Sequence, residues 1–225
     1  MGFMIYHNQT IIERLKELVL TNLFGKIPTH CLGLEIRNFI YKSLFKRIDN
    51  SVYIEEGAYF FGTRCIEIGK FVHIFKEVCI DGRGIDNHID IRDGVILNKG
   101  VNIRALDATD IYIDERTFIG NDVYVIGLGN IKIGQDCVIG DNSGIFASRN
   151  IFNNINQNIP NNDMTRKGIV IEDNCWLGHG VTILNGVTIG KGSIIGANSV
   201  VAEDIPPYSN VAGIPARVIK SKQKD

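Results

Sequence analysis

The chain has 225 residues, 44% of them hydrophobic, with a formal net charge of −1. That is enough for one large domain or two small ones with a sizeable core, and the near-neutral balance argues against a dedicated nucleic-acid binder, which carries a basic excess. No apolar run reaches the ~20 residues of a membrane-spanning helix, and five cysteines without CxxC spacing (Cys31, Cys65, Cys79, Cys137, Cys175) suit a reducing, cytoplasmic setting better than a zinc cluster or a disulfide framework.

The first twenty residues lack the basic region and small-residue cleavage site of a secretory leader. Tyr6 after Gly2 does not suit N-myristoylation. Residues 9–24 predict an amphipathic helix, with Ile11, Ile12, Leu15, Leu18 and Val19 opposite Glu13, Arg14, Lys16 and Glu17. After Pro28, residues 31–47 predict a second, more basic helix. Residues 1–50 thus form a helical segment. One reading has it capping the open end of the β-structure predicted beyond residue 50. Another has it resting on a membrane surface, because Lys42, Lys46 and Arg47 lie beside Phe39, Tyr41 and Phe45.

From residue 68 the dominant signal is a period of six, which neither a helix nor a simple strand requires. Ile171, Leu177, Ile183, Ile189, Ile195 and Val201 form an unbroken run. Upstream the period returns in threes: Ile68, Ile74, Ile80; Ile91, Leu97, Ile103; Ile113, Ile119, Val125; Ile133, Ile139, Ile145. All 18 positions are Ile, Leu or Val, against roughly eight apolar residues expected by chance. Four residues after each, the side chain is usually small or β-branched, as at Val72, Thr117, Ser143 and Cys175. The exceptions, Asp107, Arg149 and Ile205, each close a group.

Three six-residue sides make an 18-residue triangular coil, with each aliphatic pointing inward. Successive coils stack as parallel strands about 4.8 Å apart, so six would build a column roughly 30 Å long. A β-sandwich is disfavoured, because it alternates with period two and turns every 8–12 residues. The prediction is a mainly β chain: a parallel β-helix of about six to seven triangular coils over 51–206, a helical cap, and a tail over 207–225. Interruptions fall at 81–90, 104–112 and 151–168. The last, IFNNINQNIPNNDMTRKG, is too polar to bury and should project as a loop.

The repeated [LIV]-G-x-x-x-x pattern, with a small residue at its fifth place, resembles the hexapeptide-repeat acyltransferases. IPPYSNVAGIPARVIK, after the last coil, is similar to the segment that ends sugar and polysaccharide O-acetyltransferases. The resemblance covers about residues 51–220. It implies a left-handed coil, although the general rule for parallel crossovers favours the right hand. It also implies a homotrimer whose long loop packs over a neighbouring subunit, acetyl-CoA as co-substrate, a saccharide acceptor, and no metal. A γ-carbonic anhydrase on the same helix is disfavoured, because its H-x4-H pair is lacking.

Acetyl transfer to a hydroxyl needs a base near the acceptor and room for the coenzyme. In the resembling enzymes the base is a histidine just before or within the large loop. Here the matching stretch is ASRNIFNN, with Asn150 in that slot. Asparagine cannot act as a base, but it can orient a hydroxyl. His179, in WLGHG, is a candidate replacement, and also a candidate for merely lining the coenzyme groove. His88 could serve only if the trimer folds its segment over a site, and His73 is expected at a coil corner. For the coenzyme, Trp176 could pack on the pantetheine, Gly178 and Ala197 leave room, and Arg217 and Lys220 could meet phosphates. Ala202 and Glu203 stand where the family often has a cation. Two readings compete: an acetyl-CoA-dependent O-acetyltransferase working by direct attack of a hydroxyl on the thioester, or a non-catalytic scaffold or regulatory member that has lost the usual histidine.

Overall fold

The structure is a computed structural model that describes residues 11–150 and 164–221. Its core is a three-faced parallel β-solenoid. Faces 1, 2 and 3 carry seven, nine and seven strands. Face 1 begins at Arg47–Ile48 and ends at Thr188–Ile189, which marks about six turns.

All 18 predicted inward aliphatics are 0–1% exposed. They stack in register. On face 2, Ile54, Ile74, Leu97, Ile119, Ile139, Leu177, Ile195 and Val211 pair in turn. The small residues four places later are buried at the corners, where their hydroxyls join consecutive coils. Thr117 Oγ1 donates to Gly134 O at 2.7 Å and accepts from Cys137 N at 3.1 Å. Ser143 Oγ does the same between Gly178 O and Val181 N, both at 3.2 Å. Each coil also turns from face 2 to face 3 through one residue of positive φ, among them Gly100, Asp122, Asn142, Gly180 and Asn198. Asn and Asp tolerate that conformation, which explains their recurrence there.

Three features depart from expectation. The column starts at Arg47, four residues ahead of the predicted boundary. Ile48, Ile54 and Phe60 form its first rung, and a 3₁₀ turn at Thr63–Cys65 then breaks the period. The second helix is shorter than 31–47: a kinked turn at Thr29–Gly33, in which Cys31 and Leu32 leave helical geometry, precedes an α-helix at Leu34–Tyr41. The C-terminal segment is not a loose tail. Ser209–Gly213 extends face 2 as a parallel strand, and Ala216–Ser221 folds back on it.

The cap is turned over relative to the amphipathic reading. In the first helix, Ile11–Gly25, Glu17 is 8% exposed and accepts from Gly62 N (2.9 Å), Thr63 N (3.1 Å) and Thr63 Oγ1 (2.8 Å). Three hydrogen bonds to a buried carboxylate hold that side of the helix against the column. Leu15, Val19 and Leu23 consequently face outward. The second helix does the sealing. Buried Arg37 donates to Ile54 O and Thr29 Oγ1, and Tyr41, Phe45 and Phe60 pack together with ring centroids 5.1–5.8 Å apart. Tyr41 and Phe45 therefore cannot serve the membrane-surface reading, and Lys46 and Arg47 are drawn to Glu67 at 2.9 and 3.0 Å. No helix among the described residues is long and apolar enough to cross a membrane.

Burial pushes the Tyr41 phenol up to about 12, and its hydroxyl is buried with no hydrogen-bond partner among the described residues. An acid whose folded pKa is raised keeps its proton longer when folded, so stability is lost as pH climbs from about 10 towards 12. Tyr41→Phe should leave stability at pH 7 unchanged or raise it by up to about 1 kcal/mol. It should also flatten the alkaline decline, as read by urea denaturation between pH 7 and 11.

Candidate active site

The three predicted interruptions leave the column at one place, the corner between faces 3 and 1. Residues 82–87 and 106–109 stack there. Asn87 Nδ2 donates to Arg83 O (2.8 Å) and Ala105 O (3.0 Å), and its Oδ1 accepts from Thr109 N (3.1 Å). Asn150 lies two coils further along, paired with Met164 in a short antiparallel ladder at the root of the long polar insertion. The middle of that insertion falls outside the described residues. Above the root, Asn185 Nδ2 donates to Thr165 Oγ1 at 2.7 Å, and Asn185 Oδ1 is buried without a partner among the described residues. Asn185 was not among the residues singled out from the sequence. Its place opposite the end of the strand that enters the insertion was the available signal.

His179 sits on a different edge. It forms the turn between faces 2 and 3, with its carbonyl accepting from Asn198 N in the next coil at 2.8 Å. Its imidazole is exposed and makes no hydrogen bond among the described residues. One side of the triangle, the Gly144–Ala147 rung, separates this corner from Asn150, about 13 Å of strand at ~3.3 Å per residue. His88 is remote from both. It lies on face 1 in the strand His88–Ile91, not in a projecting loop, and meets Glu67 at 3.1 Å. Glu67 is held below the usual carboxylate range, chiefly by its hydrogen bond from Lys46. Burial raises neighbouring Asp90, which Arg92 partly offsets from 2.9 Å. His88 therefore belongs to a surface ion-pair network. His73 also lies on a strand, on the outer side of face 2, and not at a corner.

The predicted coenzyme residues gather at the C-terminal end of the column. Trp176 points outward from face 2, 54% exposed, between Val138 and Ile194. Ala197 is exposed at the turn directly after His179's in the stack. Lys220 pairs with Asn210 in the terminal hairpin, on the same face as Trp176. Two of these residues need a different account. A Cβ on Gly178 would lie 2.8 Å from Ala197 N and 3.0 Å from its Cα, so the glycine admits the next coil and leaves no room for a ligand. Arg217 is already engaged with Glu203 at 3.4 Å, on an exposed pair that solvent screens. An exposed indole, a small residue at the turn and a lysine with no ion pair among the described residues fit a long thioester with an anionic head. Among the described residues, no three His, Cys, Asp or Glu side chains group as a metal site would need.

Comparison with known proteins bears on the coil. A family model described as bacterial transferase hexapeptide (six repeats) matches residues 168–203, and one described as hexapeptide repeat of succinyl-transferase matches 130–148. The Escherichia coli (strain K12) protein named "Putative lipopolysaccharide biosynthesis O-acetyl transferase WbbJ" is 28% identical over 142 residues, 60% of this chain and 72% of that one. The polySia-specific acetyltransferase NeuO has a TM-score of 0.56 at 25% identity, covering 77% of this chain and 88% of its own. Two further solved structures share the fold: the polysialic acid O-acetyltransferase OatWY (TM-score 0.60, 24% identity, 76% and 84% covered) and a maltose O-acetyltransferase from Clostridium difficile 630 (0.50, 23%, 99% and 94%). The chain thus carries hexapeptide repeats of the bacterial transferase type over residues 130–148 and 168–203. The curated relative and the three solved structures it resembles are all described as acetyltransferases.

The two adjacent residues Gly178 and His179 should respond oppositely to substitution by alanine. Gly178→Ala should cost about 1–3 kcal/mol, because the new methyl meets backbone in the next coil. His179→Ala should leave the unfolding midpoint within about 0.5 kcal/mol, because the imidazole is exposed and unbonded. Urea denaturation of both variants checks the contrast.

Proposed function

We propose that the protein transfers an acetyl group from acetyl-CoA to a hydroxyl of a saccharide or polysaccharide precursor, by direct attack on the thioester. The observation that carries this reading is the gathering of Trp176, His179, Ala197 and Lys220 along one end of a solenoid whose relatives are O-acetyltransferases. When bound, acetyl-CoA supplies the activated acyl group. The remaining tasks fall to this chain: Trp176 packs against the pantetheine arm, Lys220 meets the phosphates, and Arg217 contributes once released from Glu203. His179 takes the acceptor's hydroxyl proton, a role imidazole fills near neutral pH. Asn150 orients that hydroxyl through its amide.

Asn150 and His179 stand on different edges of one column, so a single chain does not bring them together. A homotrimer of parallel columns would, with each cleft using the 2–3 corner of one subunit and the loop root of the next. The outer side of face 2 supports such packing: Ile96, Phe118, Val138, Trp176 and Ile194 form a continuous apolar row. Asn150 in the usual histidine slot and the Arg217–Glu203 pair favour the second reading, a non-catalytic member that keeps the coil.

Calorimetric titration with acetyl-CoA, followed by release of CoA thiol over a panel of sugars, separates the two. The enzyme binds and turns over. His179→Ala should then lower kcat by about a hundredfold or more with little change in the coenzyme's KM, and Trp176→Ala should weaken coenzyme binding about tenfold, ~1.4 kcal/mol. No binding at millimolar acetyl-CoA would sink the catalytic reading.

A further inference from the structure

Face 3 carries an outer surface that the coenzyme end does not use. Its register sets two rows side by side: Asn102, Tyr124 and Gly144 in one, Arg104, Ile126 and Phe146 in the other. Neighbouring coils are about 4.8 Å apart, so the patch is about 10 Å tall. Tyr124 is 46% exposed. Gly144 beside it has no side chain, and the Phe146 ring lies across the vacated spot, where any Cβ would collide with it. The glycine thus lets a second ring occupy the position next to Tyr124.

Arg104 adds a charge to this platform. Its Nε donates to Asn102 Oδ1 at 2.8 Å, and the guanidinium makes no ion pair among the described residues. The register places Asp81 next to it, but Asp81 is taken by Arg83, through Nε at 2.9 Å, Nη2 at 2.6 Å and the backbone N–H at 3.0 Å. An exposed guanidinium whose adjacent carboxylate is already satisfied, held in place by an amide beside two aromatic rings, is suited to a carboxylate from outside.

We infer that this surface is the acceptor track, and that it takes an acidic saccharide chain, with sugar rings stacked on Tyr124 and Phe146 and a sugar carboxylate paired with Arg104. The inference rests on the saccharide-acceptor reading and adds both the place and the charge of the acceptor. The Gly144–Ala147 strand runs from the platform straight to Asn150, so a chain lying on it meets the root of the long insertion. Aromatic rings beside arginine also suit single-stranded nucleic acid. That ligand needs a groove of cations, however, and among the described residues of these two rows Arg104 is the one cation, on a chain of net charge −1.

The test is calorimetric titration of the full chain with hexamers of sialic acid, galacturonic acid, glucose (maltohexaose) and thymidylate. At least one acidic sugar should bind tenfold or more tighter than maltohexaose. Arg104→Gln should erase that margin while Arg104→Lys keeps part of it. Tyr124→Ala should weaken acidic and neutral sugars alike by fivefold or more. Melting temperatures and acetyl-CoA affinity should not change in these variants, which separates this outcome from failure of the coenzyme site. Acidic hexamers that bind no better than maltohexaose, hexathymidylate that binds as well as they do, or an Arg104→Gln variant that keeps the margin would each overturn the inference. Hexamer binding without acetyl transfer would remove the catalytic reading and leave the track standing.

Discussion

Everything in this molecule depends on the vertical stacking of inward aliphatics. An aliphatic in one coil touches its counterpart in the coils before and after, and parallel strands about 4.8 Å apart leave little slack. A coil therefore has eighteen residues for its three sides. Any surplus must leave at a corner, because a one-residue slip within a side would turn its inward residue out to solvent. The surpluses at 82–87, 106–109 and around 150–165 all leave at the corner between faces 3 and 1. Once one loop is there, the next can stack on it, as Asn87 does with Ala105 and Thr109. The root of the long insertion, at Asn150 and Met164, opens at the same corner.

The ladder was legible in the sequence because its spacing is strict and its chemistry uniform. Elements that broke one or the other stayed hidden. The first rung uses Phe60 in place of an aliphatic, and extra residues at its corner, the 3₁₀ turn among them, shift the count to Ile68. The strand at Ser209–Gly213 follows a proline-rich turn and carries one inward residue, Val211, too few to show a period. The cap departs for a different reason. Amphipathicity assigns the apolar side of a helix to the core, but Glu17 finds three donors at the 3₁₀ turn of Thr63–Cys65. A carboxylate with satisfied bonds can outweigh several leucines for a place at the end of a column that Tyr41, Phe45 and Phe60 already seal. Nothing in residues 11–25 alone announces those donors, which lie more than forty residues away.

The candidate site was legible in part. Trp176, His179, Ala197 and Lys220 could be named from motifs, and the column does carry them to one end. Their roles needed neighbours in space. Gly178 looks like room for a ligand until Ala197 is seen against it, and Arg217 looks like a free cation until Glu203 is seen beside it. The six-residue count also holds information about the outer surface. The residues flanking each inward aliphatic point outward, so Asn102, Arg104, Tyr124, Ile126, Gly144 and Phe146 are all specified by it. A period defined by the core draws attention to the core and away from its reverse side.

The two halves of the proposed reaction rest on parts of the fold that differ in tolerance to change. The coenzyme end is built from the coils themselves and from a hairpin locked into face 2. Gly178 shows how little such a surface can vary, since even one methyl there meets backbone. The acceptor side is built from outward side chains of a flat sheet and from a loop that starts and ends at a single corner. Outward residues change without touching the ladder, and lengthening a closed loop costs only about 0.6 kcal/mol per doubling. A solenoid of this kind can therefore keep one acyl donor while its acceptors diverge. Charge on face 3, at Arg104 above all, is where such divergence would first be felt.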